Sequence, residues 1–166
     1  MSDLPSHARA VVIGCGIVGN SLAHHLCRLG WRHVLLLDKG PLPNPGGSTG
    51  HASNFIYLVD HSKEMTALTV DSVEQYQGLG VFTQSGGVEV ARTEERMQEL
   101  ARQIASATAW GLEPVSLVTP PEVEELVPYI NHTILKGSFY TPSTCVVDSL
   151  RAGTLMRDAA PASAPL

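Results

Sequence analysis

The sequence predicts an α/β fold: a strand–helix–strand unit interrupted by an insertion with strands of its own. Three observations carry that expectation. Gly14, Gly16 and Gly19 lie between a β-branched run, "ARAVVIG", and a stretch with helical spacing, "IVGNSLAHHLCRLG". The next apolar run, "HVLLLDKG", closes on an acidic residue, Asp38. Farther on, short alternating segments and helical stretches come in mixed order and end in "DSLRAGTLMRDAA".

Each element follows from local chemistry. A β-branched run ending in glycine reads as a buried strand. After it, Ile17, Leu22, Leu26 and Leu29 fall near helical spacing, and Gly30 is placed to close the helix. The run up to Asp38 reads as a second buried strand, parallel to the first across a right-handed crossover. "PLPNPGGSTG" is loop by composition. Ser62 is placed to cap a helix over "SKEMTALTVDSVEQYQGLG", with Glu64 in its first turn. Met65, Leu68, Val73, Tyr76 and Leu79 give that helix a rough apolar face. "GGVEVA" alternates as a strand does. A clearer helix covers "TEERMQELARQIASATAWG", with Thr93 as N-cap, Met97, Leu100 and Ile104 on one side, and Gly111 after it. "TPPEVEELV" starts a short helix with a capping box: Thr119 at the cap, Pro120 at the first helical position, Glu122 three residues on. "GSFYTP" reads as a strand, and Asp148 is placed to cap the last helix. The insertion is expected over 85–145. That leaves 1–84 and 146–158 as an incomplete cofactor-binding domain and 159–166 as a disordered tail.

Composition narrows the function classes. Hydrophobic residues make up 43% and charged residues 16%, enough apolar side chains for a core. A net charge of −5 offers no basic surface for nucleic acid. No apolar run approaches the roughly 18 residues of a membrane span, so no membrane partner is expected. "MSDLPSHARA" lacks the basic flank and apolar core of a secretory signal, and a lone Arg9 makes a poor mitochondrial presequence. Cys15, Cys27 and Cys145 are widely spaced and form no CxxC, which points to free thiols in a reducing cytoplasm. Adjacent His24 and His25 face different directions on a helix and cannot share a metal ion. His33, His61 and His132 have no partners at zinc spacing, so no metal site is expected. Glu94-Glu95 and Glu124-Glu125 read as solvated helix residues rather than paired catalytic carboxylates. "RDAAPASAPL" breaks off a helical pattern, which suggests a fragment or a truncated product.

The glycines carry the chemistry. Gly14-Cys15-Gly16-Ile17-Val18-Gly19 fits GxGxxG, with a strand before it, a helix after it and Asp38 at the end of the next strand. Gly14 allows the tight turn, Gly16 lets the backbone approach a pyrophosphate, and Gly19 lets helix pack on strand. The helix N-terminus adds N–H donors and partial positive charge for the phosphates. Asp38 accepts from both hydroxyls of an adenosine ribose and repels a 2′-phosphate, which disfavours NADP. Cys15 inside this loop reads as a small packing residue, although a helix N-terminus lowers a thiol pKa. The fingerprint itself leaves FAD and NAD open.

The segment after Asp38 is more specific. Together with "GGSTGHASNF", "DHSKEM", "SGGVEVA", "AWGLEP" and "VVDSLRAGTLM", the N-terminal segment resembles the D-amino-acid-oxidase-like flavoproteins over residues 9–157. Within them it is most similar to the dimethylglycine oxidase, dimethylglycine dehydrogenase and sarcosine dehydrogenase group. The resemblance implies a Rossmann-like FAD-binding domain with the beginning of an inserted antiparallel-sheet substrate domain. It implies FAD, attached in that group through its 8α-methyl to the histidine of this loop, here His51. By the same carry-over Ile17 and Val18 lie at the pyrophosphate and Asp38 and Lys39 at the adenosine ribose. Ser48, Thr49, Gly50 and Phe55 line the middle and the flavin end. Asp38 to His51 is thirteen steps along the chain, a reach of at most about 45 Å, longer than an extended FAD.

The implied activity is oxidation of an N-methyl amine such as dimethylglycine or sarcosine by hydride transfer to flavin. Oxygen or an electron-transfer flavoprotein is the implied acceptor, and a C-terminal tetrahydrofolate domain occurs in some relatives. The family's catalytic residues lie downstream of this chain, so the isolated chain is expected to be inactive and to hold flavin poorly. Two alternatives stay open: an NAD-dependent Rossmann dehydrogenase, which leaves His51 without a role, and a non-catalytic truncated product. Where relatives carry glycine this chain has Cys145, which a positive φ at that position would strain.

Overall fold

The computed structural model describes residues 5–60, 62–112 and 114–160. His61 and most of the expected tail, 161–166, lie outside the described residues. The chain forms two compact units. The first takes the chain up to Asn54, Leu79–Val81, and the part from Val147 onward. Phe55–Gly78 and Phe82–Val146 make the second. Segment 55–78, grouped by sequence with the fingerprint, thus packs with the antiparallel sheets.

In the first unit, strand β1 (Ala10–Ile13) runs parallel to β2 (Val34–Leu37), with Val12 opposite Leu36. Helix α1 (Ile17–Arg28) joins them. It ends as the sequence predicts, with Gly30 at φ +86° and its N–H donating to the Cys27 carbonyl at 3.0 Å. Its apolar face is not the expected one. Asn20 and Ala23 are its buried residues, while Leu22 and Leu29 are exposed. Small residues bring the helix close to its neighbours, and leucines would hold it off. Helix α5, the last in the chain (Ser149–Ala159), packs on α1 at this face. Its Gly153 sits against Asn20, and its Met156 carbonyl meets His24 Nδ1 at 3.0 Å.

β1 is not buried on both faces, as its β-branched run suggests. Val12 is 8% exposed, but Ile13 is 84% exposed. Successive strand residues point to opposite faces, and only the Val12 face is covered.

Two antiparallel sheets build the second unit. One has the order β3-β8-β4, from Phe55–Ile56, Cys145–Val147 and Phe82–Gln84, with Phe55 opposite Val146. The other has the order β5-β7-β6, from Gly87–Ala91, Gly137–Thr141 and Ser116–Val118. Val88 pairs with Tyr140, and Leu117 with Phe139. β5 and β7 match the strands read from "GGVEVA" and "GSFYTP". The two- and three-residue strands β3, β4, β6 and β8 have no alternation to read.

Helix α3 (Glu94–Ala109) buries Leu100 against Phe139 and Ala91, the fully buried centre of this unit. Met97 and Ile104 pack around it, on the predicted side. Thr93 caps α3 by accepting from the Arg96 N–H at 3.2 Å. Helix α4 (Pro120–Leu126) opens with the predicted capping box, in which the Glu122 carboxylate accepts from the Thr119 N–H at 2.6 Å. In helix α2 (Lys63–Gly78) Ser62 accepts from the Met65 N–H at 3.2 Å, as expected. Of its expected apolar face, Val73 is buried, whereas Met65 and Leu68 are exposed. Cys145 lies in a strand and is fully buried, and the non-glycine residues with positive φ are His33 and Asn54 among the described residues. The anticipated strain at Cys145 is therefore absent.

Candidate cofactor site

The three fingerprint glycines have three different reasons in the structure. Gly14 takes φ +109°, a backbone region that side chains disfavour. A methyl on Gly19 would overlap the Gly14 carbonyl, so α1 lies directly on the turn that precedes it. A methyl on Gly16 would lie 2.9 Å from the Thr49 hydroxyl. Gly16 is also the N-cap of α1, with extended backbone and no side chain to cap the helix. The cap comes from elsewhere: the Ile17 N–H donates to Thr49 Oγ1 at 2.9 Å. The Asn20 N–H is taken by the Gly16 carbonyl. Those of Val18 and Gly19 are the remaining first-turn donors, which have no intrahelical partner.

Asp38 stands at the end of β2. Its carboxylate accepts from the Cys15 N–H at 2.7 Å and from the Gly40 N–H at 2.8 Å. These backbone donors, Cys15 first, hold its pKa below the ordinary carboxylate range. Ile13, Gly14, Leu37, Asp38 and Lys39 line a cavity of about 440 Å³ at the same edge. The fingerprint turn is braced from behind, where Asn20 Nδ2 donates to the Cys15 carbonyl at 2.8 Å.

Cys15 is a buried packing residue, as expected, and only its pKa runs against the expected direction. Burial, followed by the charge of Asp38, pushes its thiol pKa up rather than down. Its side chain is only 4% exposed, so desolvation outweighs the helix terminus.

Ser48–His51, read as loop, is a single 3-10 turn. Gly40 is pressed against Pro45, where no side chain would fit, so the chain folds back on itself before the turn. The Gly46 N–H donates to Asn44 Oδ1 at 3.2 Å. A methyl on Gly50 would meet the Asn44 amide at 2.5 Å, so Asn44 fills the space that a larger residue before His51 would take. Ser149 Oγ donates to the Thr49 carbonyl at 3.1 Å. His51 ends this turn with its side chain exposed.

The sequence-predicted residues thus divide. Gly14, Gly16, Ile17, Val18, Gly19, Asp38 and Lys39 lie together at the edge of the parallel pair in the first unit, as one end of a candidate site. Thr49 joins them to Ser48, Gly50 and His51. Phe55 belongs to the second unit and stacks on Tyr57 with ring centroids 6.0 Å apart. Asn20, Asn44 and Ser149 were missed. Asn20 had one usable signal, a polar residue on the inner face of a helix; Ser149 is 100 residues from Thr49 and had none. A separate cavity of about 540 Å³ in the second unit is lined by Phe55, Tyr57, Glu89, Arg96 and Gln103 among others. Its guanidinium is already paired with Glu89. Among the described residues no cluster of three or more His, Cys, Asp or Glu could hold a metal, and no helix is long and apolar enough to cross a membrane.

Residues 9–163 match the FAD dependent oxidoreductase family. The chain belongs to that family. Its cofactor is FAD, and the NAD-dependent alternative falls with this assignment. Sarcosine dehydrogenase of Homo sapiens is 33% identical over 97% of the chain, and dimethylglycine dehydrogenase of Rattus norvegicus 32% over 85%. The pyruvate dehydrogenase phosphatase regulatory subunit of Mus musculus is 31% identical over 95%. The chain spans 17–18% of the length of these three relatives. L-proline dehydrogenase from P. horikoshii superposes with a TM-score of 0.86 at 26% identity, over 97% of this chain and 43% of that one.

The residues present fit FAD. First-turn N–H donors, a carboxylate and an apolar cavity lie together at the end of the two parallel strands. The glycine at position 16 keeps side-chain bulk from between α1 and the His51 turn.

Proposed function

We propose that this chain is the FAD-binding part of an oxidoreductase acting on the N-methyl group of a secondary or tertiary amine, with dimethylglycine or sarcosine as the substrate class. The observation that carries this reading is the docking of the His51 turn on the fingerprint helix through Thr49. One turn then serves both the pyrophosphate end and the ring end of a dinucleotide. The chemistry FAD supplies is acceptance of a hydride from the N-methyl carbon. Asp38 accepts hydrogen bonds from the adenosine ribose beside Lys39. The N–H groups of Val18 and Gly19 donate to the pyrophosphate. Ser48, Thr49 and Gly50 would follow the cofactor, and His51 would be the point of attachment to the isoalloxazine. Residues 1–84 and 146–158 form the cofactor domain in this reading, and 85–145 begin the substrate domain. Oxygen or an electron-transfer flavoprotein takes the electrons, and tetrahydrofolate enters only through a further domain. Free thiols support a reducing compartment, the cytoplasm or, by analogy with relatives named as mitochondrial, the matrix.

The test is acid precipitation after loading with FAD. Yellow colour retained in the pellet and lost in His51→Ala supports attachment; colour wholly in the supernatant refutes it without refuting FAD binding. Amine-dependent flavin reduction by the isolated chain is expected to be nil, and turnover would overturn that expectation. A second reading has one observation in its favour. The likeness to a regulatory subunit supports a non-catalytic flavoprotein, for which flavin binds but no N-methyl amine reduces it, even in a longer chain.

A further inference from the structure

The structure assigns Thr49 and Ser149 a positioning role: they clamp the His51 turn to the N-terminus of α1 and fix where the histidine stands before any cofactor arrives. The argument starts from a missing cap. Helix N-termini leave N–H groups unsatisfied, and a Ser, Thr, Asp or Asn at the N-cap normally accepts one of them. Here the N-cap is Gly16, which has no side chain. The Thr49 hydroxyl, 32 residues away, accepts from Ile17 instead, at 2.9 Å. A helix cap has thus become a tertiary link between the fingerprint and the turn that carries His51.

That link alone would leave the turn free to pivot about one hydrogen bond. Ser149 supplies the second point. It opens α5, whose N-cap Asp148 accepts from the Arg151 N–H at 2.9 Å, so the serine stands on a held helix end. Its hydroxyl donates to the Thr49 carbonyl at 3.1 Å. Helix α5 is in turn fixed to α1 by Gly153 against Asn20 and by Met156 against His24. Thr49 is therefore held by side chain to one helix and by backbone to the other. Two residues on, His51 has a restricted position. The clamp needs Gly16 as well, because a methyl there would press on the Thr49 hydroxyl.

The clamp is a property of the cofactor-free chain; its use for flavin rests on the reading above. The experiment separates the two. Amide hydrogen exchange and NMR relaxation of the His51 ring are measured on the 166-residue chain and on Thr49→Val, Thr49→Ser and Ser149→Ala. Ile17 exchange is expected to rise at least about tenfold in Thr49→Val and to return in Thr49→Ser, which keeps the hydroxyl. Ser149→Ala is expected to increase His51 ring mobility while melting unchanged from wild type. Each chain is then titrated with ADP, which reaches only the fingerprint end, and loaded with FAD for acid-stable flavin. ADP affinity should hold in Ser149→Ala while acid-stable flavin falls. Unchanged Ile17 exchange in Thr49→Val, or unchanged His51 mobility in Ser149→Ala, overturns the clamp. Altered mobility with no ADP binding by any chain leaves the clamp standing and refutes the cofactor reading.

Discussion

Gly16 and Gly19 belong to the same motif, yet the structure predicts opposite outcomes for the same substitution. In Gly19→Ala the new methyl overlaps the Gly14 carbonyl oxygen and lies 3.0 Å from its carbon. Both are backbone atoms of a tight turn with φ +109°, so no rotamer change relieves the clash. The helix must move away from β1, opening the packing of Val12, whose side chain is the next nearest group at 3.5 Å. Overpacking of this kind costs about 1–3 kcal/mol or more. The gain in helix propensity, at most about 1 kcal/mol, offsets only part of it. In Gly16→Ala the backbone is ordinary, and the methyl meets one side-chain oxygen at 2.9 Å. Thr49 can rotate away at the loss of its bond to Ile17, about 0.5–1.5 kcal/mol. Urea unfolding followed by circular dichroism should show Gly19→Ala clearly destabilised and Gly16→Ala destabilised by no more than about 0.5–1.5 kcal/mol. FAD titration should show Gly16→Ala impaired despite its intact fold. Equal stability of Gly19→Ala and wild type would refute the packing argument, and unimpaired FAD binding by Gly16→Ala would refute the approach argument.

Other expectations follow from the same contacts. Asp38 has a depressed pKa when folded, so its stabilising contribution is complete above the unfolded value and is lost as pH falls through the folded one. Acid unfolding of Asp38→Asn should therefore show a smaller loss of stability below about pH 4 than wild type, and an identical profile would refute the assignment. Cys15 and Cys145 are buried, with thiol pKa values raised by burial. Iodoacetamide at pH 8 should label half-buried Cys27 first, read by peptide mass spectrometry; prior labelling of Cys15 would contradict the geometry. Phe139 is fully buried at the centre of the second unit. Its replacement by Ala should lower unfolding free energy by about 3–5 kcal/mol, and a change under 1 kcal/mol would mean the sheet face is not closed there.

What the sequence revealed and what it hid have physical causes. The parallel pair and the five α-helices are legible, with the N-terminal caps of all but α1, because caps and turns are local chemistry. The face of α1 is not. Leucine spacing pointed to Leu22 and Leu29, but close approach selected Asn20 and Ala23, and closeness depends on what the helix meets. β1 was read as buried on both faces because β-branched content does not say how many layers cover a sheet. The short strands β3, β4, β6 and β8 are set by pairing across large sequence distances, with Phe55 meeting Val146. In the candidate site, the glycines and Asp38 are legible as a motif, and His51 enters only through a resemblance. The hydroxyl that caps α1 was legible only as a loop residue, since nothing local to Thr49 says that it ends at Ile17.

Asp38 shows how a structural contact and a ligand contact can share one group. An ionised carboxylate offers about four acceptor positions. The Cys15 and Gly40 N–H groups take one on each oxygen. The acceptor capacity left over is what the proposed reading would give to the hydroxyls of a ribose. The backbone bonds aim the carboxylate and favour its ionised form, so the ribose contact proposed for it would need no reorientation. They also oppose a 2′-phosphate in two ways: the fixed charge repels it, and the carboxylate cannot swing aside without leaving two backbone donors unpaired. An asparagine keeps the shape but carries a single acceptor oxygen, so at most one of the two oxygen positions survives. In the proposed reading, any selectivity that Asp38 gives against a 2′-phosphate would rest on the turn that holds the carboxylate as much as on its charge.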